Sequence, residues 1–143
     1  MQQNYFISDK QEDMDLDIIH GFLSRSYWSP NIPRKTVQSA INNSLCFGVF
    51  TRDGEQVGFA RMITDKTTFA YLADVFVLEA HREKGLSKAL MTYITEHSEL
   101  QGLRRMSLAT RDAHGLYQKF GFTPLSQPEL FMERWRPDIY VSA

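Results

Sequence analysis

The run Arg82-Glu83-Lys84-Gly85-Leu86-Ser87 carries the most pointed chemistry in the chain. It sits between an apolar stretch and a helical pattern, so backbone N–H groups at the helix start are left unpaired and carry partial positive charge. Glycine lets a ligand approach the backbone closely, and Arg82 and Lys84 add cationic reach, a combination that suits a pyrophosphate. One glycine before a helix is common, and on local pattern alone an ordinary turn with solvated charges accounts for the same residues. Other reactive types are sparse. The single cysteine, Cys46, lies inside the apolar run Leu45-Cys46-Phe47-Gly48-Val49-Phe50, as a buried and inert thiol would. His20, His81, His97 and His114 are scattered without metal-ligand spacing, so no metal site is expected.

The apolar spacing supplies the elements that must position such a turn. Residues 69–78, rich in Val, Phe and Tyr, read as a strand running into it, and Leu86, Ala89, Leu90, Tyr93 and Ile94 share one helical face after it. Upstream, residues 4–8 form a short opening strand, and Leu16, Ile19 and Leu23 mark a helix behind an acidic first turn. Pro30 and Pro33 break the periodicity just after Tyr27 and Trp28. Pro33 suits the first turn of a second helix carrying Val37, Ala40 and Ile41. Residues 45–51 and 56–62 flank Asp53-Gly54, a hairpin signal, and should pair antiparallel. Further on, the pattern predicts a strand over 106–110, a short helix over 113–120 with Asp112 as N-cap, and a final strand over 130–135. This order implies an α/β (α+β) fold with a mixed central sheet and helices on both faces.

Composition bounds the function. At 143 residues the chain fits one domain, 1–143, and 43% hydrophobic residues with ten Phe and six Tyr exclude a disordered or low-complexity protein. A formal net charge of -1 gives no footprint for a nucleic-acid backbone. The N-terminus lacks the regions of a secretory signal and no apolar stretch is long enough to span a membrane, so a soluble cytoplasmic protein without nucleic-acid or membrane partners is expected.

The stretch Asp74-Val75-Phe76-Val77-Leu78-Glu79-Ala80-His81-Arg82-Glu83-Lys84-Gly85-Leu86-Ser87-Lys88-Ala89-Leu90 resembles motif A of the GCN5-related N-acetyltransferase (GNAT) family, Gln/Arg-x-x-Gly-x-Gly/Ala after an apolar strand. Downstream, Ala113-His114-Gly115-Leu116-Tyr117-Gln118-Lys119-Phe120-Gly121-Phe122 is similar to its motif B, Ala-x-x-Leu-Tyr-x-x-x-Gly-Phe. Two motifs in the right order are far more specific than either alone. Ser87 stands where the family usually has Gly or Ala, and Thr110 where many members have Asn. The serine is still small, and its hydroxyl can bond a phosphate oxygen.

The resemblance implies a mostly antiparallel sheet whose strands at 71–77 and 106–110 splay apart, so that the pantetheine arm of acetyl-coenzyme A adds to an open edge. The implied cofactor contacts are the backbones of Val75, Phe76 and Val77, the turn Arg82, Glu83, Lys84, Gly85, Leu86, Ser87 and Lys88, and the side chains of Thr110 and Tyr117. A backbone N–H near Phe76 or Val77 would hold the oxyanion. Tyr117 falls at the family's general-acid position, from which a phenol can protonate the departing thiolate; amphipathic spacing alone would pack it beside Leu116 and Phe120. The residue aligned with the usual base is Ala73. Asp74 is the nearest acid, with a water chain or prior deprotonation in solvent as competitors.

Tyr27 and Trp28 lie in the loop that borders the acceptor pocket in this family, where they either hold the acceptor or cover the core edge. Arg61 either pairs with an acceptor carboxylate or is a partly exposed strand residue. Glu12, Asp13, Asp15 and Asp17 read as a solvated first helical turn. The expected activity is transfer of an acetyl group to a primary amine of a small molecule. A protein N-terminus or lysine acceptor, and acyl-coenzyme A sensing without turnover, are the alternatives. A homodimer is expected by analogy with the family.

Overall fold

Nearly continuous apolar runs suit strands that are covered on both faces, and 45–51 and 56–64 are such runs. In the computed structural model, which describes residues 4–141, they form β2 (Leu45–Thr51) and β3 (Gln56–Thr64) inside a five-stranded sheet. β1 (Tyr5–Ser8) lies at one edge, β4 (Phe69–Val77) beyond β3, and β5 (Arg105–Leu108) at the other edge. The strands lie side by side in chain order, and every pairing is antiparallel except β4 with β5.

Side-chain alternation along β3 and β4 feeds two cores. Phe59 and Phe76 join Ile19 and Leu23 of α1 (Leu16–Leu23) and Val37 and Ile41 of α2 (Arg34–Asn42). Ala60 and Val77 join Leu86, Leu90, Met91 and Ile94 of α3 (Leu86–Thr95) and Tyr117 of α4 (His114–Gln118). Helices therefore cover both faces, and α3 makes the crossover that a parallel β4–β5 pair requires.

The acidic start of α1 has structural work. Asp15 caps the helix by accepting from the N–H groups of Asp17 and Ile18, and Asp17 pairs with Arg34 at 2.6 Å. Buried Gln56 accepts from the Asp15 N–H at 2.7 Å and donates to the Gly58 carbonyl at 2.9 Å, which ties the start of α1 to β3.

Three sequence expectations need correction. Residues 130–135 form no strand: a 3-10 turn at Pro128–Leu130 redirects the chain, and the extended residues after it find no strand partner among the described residues. β5 ends at Leu108 instead of 110. Asp112 does not cap α4: Ala113 is the N-cap residue and no side chain caps the helix among the described residues, while Thr110 Oγ1 accepts from the Ala113 N–H at 3.1 Å and fixes the turn before it.

Candidate active site

β4 and β5 stay paired only from Phe69 opposite Arg105 to Leu72 opposite Leu108. β5 then ends while β4 continues to Val77, so this edge of β4 beyond Leu72 has no strand partner. The gap is a cleft of about 280 Å³, with Tyr71, Ala73 and Val75 on one wall, Thr110 and Tyr117 on the other, and Tyr27 and Trp28 at its mouth.

The open edge is shaped by a bulge. Arg61 and Phe59 of β3 face Ala73 and Phe76 of β4, so three steps along β4 match two along β3. The extra residue is accommodated at Asp74, whose φ of 58° lies in the left-handed region that aspartate tolerates better than most residues. Both carboxylate oxygens of Asp74 are engaged. Oδ1 accepts from Trp28 Nε1 at 2.9 Å, and Oδ2 accepts from Arg61 Nε at 2.9 Å, with both ion-pair side chains largely buried. Arg61 also donates to Ser44 Oγ at 3.1 Å. The two residues suggested as base and carboxylate binder are thus each other's partners, and Trp28 ties the α1–α2 loop to the bulge.

Along β4 from the cleft, the turn before α3 encloses a hollow of about 240 Å³ lined by Arg82, Glu83, Gly85, Leu86, Ser87 and Lys88. Glu83 and Gly85 adopt positive φ, 62° and 76°. Gly85 is the N-cap of α3, so no side chain satisfies the first N–H groups of the helix, and no acid lies in its first turn. A Cβ at Gly85 would meet nothing within 4 Å. Backbone conformation, not crowding, is what requires glycine there. Arg82 Nε donates to the Val77 carbonyl at 2.9 Å, which braces the turn against the end of β4. These residues could hold a pyrophosphate, because the first N–H groups of α3 have no side-chain cap among the described residues.

Tyr117 is 8% exposed, with its ring edge-on to Phe122 and packed into the core below α3. Its hydroxyl has no hydrogen-bond partner among the described residues, and the side chain lines the cleft. Burial, and then the neighbouring Tyr27 phenol, raise its pKa above the usual 10.0, so the group stays protonated at neutral pH. Core packing and cleft exposure belong to opposite ends of one side chain. It can offer a proton to a basic atom in the cleft.

Comparison with known proteins shows which family the chain belongs to. Residues 15–122 match the acetyltransferase (GNAT) family. The chain belongs to that family. A GNAT-family acetyltransferase structure from Xanthomonas campestris pv. campestris is 51% identical, with a TM-score of 0.95 over 99% of this chain and 100% of that one. A Gibberella zeae protein named as an acetyltransferase candidate is 31% identical, matching 81% of this chain and 77% of its own length. A Clostridium acetobutylicum structure described as a predicted acetyltransferase with acetyl-coenzyme A shares the fold, with a TM-score of 0.65 at 13% identity over 92% of this chain and 94% of that one. Acetyl transfer from acetyl-coenzyme A is the family's chemistry. In this GNAT chain the expected splay, glycine turn and cleft-facing tyrosine all occur on one side of β4.

A cleft residue and a residue that braces its mouth escaped the sequence reading. Tyr71 lines the cleft on the same strand as Ala73, two residues away, so strand alternation could have found it. Arg111 stacks its guanidinium 3.8 Å from the centre of the Tyr27 ring and links the β5–α4 loop to the α1–α2 loop across the mouth. Nothing in local sequence pairs residues so far apart.

Proposed function

We propose that the protein is an N-acetyltransferase that uses acetyl-coenzyme A to acetylate a primary amine on a small molecule. The observation that carries this is the unpartnered Tyr117 hydroxyl in the cleft that begins where β4 and β5 part. Acetyl-coenzyme A supplies the acyl group as an activated thioester. The free edge of β4 at Val75, Phe76 and Val77 would pair with its amide-bearing arm, with Thr110 on the opposite wall. The start of α3, with Gly85, Leu86, Ser87 and Lys88, would take the pyrophosphate, and Arg82 and Glu83 would shape the turn. A backbone N–H near Phe76 or Val77 polarises the carbonyl, and Tyr117 donates the proton that the leaving sulfur takes up.

Asp74 acts as a positioning residue. Its oxygens hold Arg61 and Trp28, so the incoming amine loses its proton to water. Among the described residues Asp74 is also the only acid lining the cleft, and it is paired with Arg61, while Tyr27, Trp28, Tyr71 and Tyr117 present four rings. Such a surface favours an amine with an apolar or flat body over a polycation, which would need free carboxylates.

Thiol release from acetyl-coenzyme A, measured with arylalkylamines, amino acids, polyamines, aminoglycosides and peptide N-termini, tests this directly. Release with a compact aromatic or apolar amine is expected. Turnover confined to peptides would make the acceptor a protein, and tight binding of acetyl-coenzyme A without release by any amine would make the protein a sensor.

A further inference from the structure

Arg111 directly follows Leu108, Ala109 and Thr110, which line one wall of the cleft, and it holds its guanidinium 3.8 Å from the centre of the Tyr27 ring at the mouth. A guanidinium stacked on a ring gives up only one face, and its N–H donors, which lie in its own plane, stay free. None of them is used. Among the described residues the Arg111 side chain makes no hydrogen bond and pairs with no acid, the neighbouring Asp112 included. Arg61, the other arginine near the cleft, is committed to Asp74 and Ser44, and Asp74 is held by that same pair. The cleft therefore carries one cation with unused donors at its mouth, and no acid with unused charge among its described lining residues.

We propose that Arg111 is a specificity-determining residue that reads a carboxylate on the acceptor. The inference rests on the acetyl-transfer reading above and narrows its substrate class to a small amine whose flat or apolar body ends in a carboxylate, an amino acid in the broad sense. The amine end goes inward, toward Tyr117 and the free edge of β4, where the thioester would lie. The body lies against the rings of Tyr27, Trp28 and Tyr71. The carboxylate stays at the mouth, where the paired in-plane donors of a guanidinium match its two oxygens. At that position it keeps part of its water, so entry carries no full desolvation cost. A polyamine, or a lysine side chain within a peptide, brings no partner for Arg111 and meets a like charge there.

Acid and amide forms of the same amine test this by thiol release from acetyl-coenzyme A: aminomethylbenzoate against aminomethylbenzamide, and aminocaproate against aminocaproamide. In both pairs the carboxyl is remote enough to leave the basicity of the amine nearly unchanged. In the wild-type protein kcat/KM should favour the acid by about 10-fold to 100-fold in at least one pair, mostly through KM, as charge-assisted hydrogen bonds would. Arg111→Gln should bring the acid-to-amide ratio to within about threefold of unity, and Arg111→Lys, which keeps the charge without the paired donors, should restore part of it. If Arg111 only braced Tyr27, its loss would slow acid and amide alike and leave the ratio standing. A wild-type ratio near unity in both pairs, or a ratio that survives Arg111→Gln, would overturn the inference and leave acetyl transfer in place. No release with either pair or with any amine of the broader panel would overturn acetyl transfer and this inference together.

Discussion

The turn that opens α3 and the loop that joins α1 to α2 flank the same stretch of β4, yet they are built differently. The turn offers backbone. Its donors are fixed by the helix start and by the positive φ of Glu83 and Gly85, and its shape depends little on which side chains surround it. The α1–α2 loop offers side chains, Tyr27 and Trp28, held by Asp74 and Arg111 from distant parts of the chain. On the proposed reading, a site made of backbone suits a donor shared by a whole family, and a site made of side chains can change acceptor without disturbing it.

Substitutions can break or sharpen that contrast, and the largest effect is expected between the two regions. Tyr117→Phe should lower kcat about 100-fold or more while KM for acetyl-coenzyme A stays within threefold, by steady-state thiol release. The phenol acts while protonated and its pKa lies above 10.0, so the alkaline loss of activity that it sets should fall above pH 10. That limb should vanish in the variant.

Asp74→Asn comes next. Leaving Arg61 largely buried without its counter-charge should cost about 3–5 kcal/mol in denaturant unfolding, with kcat within threefold. A 100-fold fall in kcat at unchanged stability would instead make Asp74 the base. Gly85→Val forces a β-branched residue into left-handed backbone and should weaken coenzyme A binding about 10-fold by calorimetry, leaving KM for the acceptor unchanged. Trp28→Phe, which keeps a ring but loses the bond to Asp74, should do the reverse. A rise in acceptor KM of about threefold to 10-fold is expected, with coenzyme A affinity intact.

The same contrast explains what was legible in the sequence. The turn and α3 are local, written in consecutive residues from Val77 to Ile94, so glycine, charge and helical spacing point to them directly. The Asp53-Gly54 hairpin and the faces of α1 and α2 are legible for the same reason. The Arg61–Asp74–Trp28 network was not, because it depends on a bulge that breaks strand alternation at one residue, and simple period-two reasoning has no term for it. Asp112 is not the cap of α4 because the N-cap falls one residue later, at Ala113, with Thr110 bonding the Ala113 N–H, and spacing does not reveal so small a shift. The failed strand at 130–135 has the alternation-tolerant, apolar character of a strand and lacks only a neighbour, and sequence patterns cannot supply a neighbour.

Cys46 lies 2% exposed in β2, and burial, partly offset by Arg61, pushes its thiol pKa up to about 12. Virtually no thiolate exists there at neutral pH, and thiolate is the form that attacks disulfides. The thiol that the proposed transfer would release from coenzyme A, once oxidised to a disulfide, would therefore meet no thiolate at Cys46 with which to form a mixed disulfide.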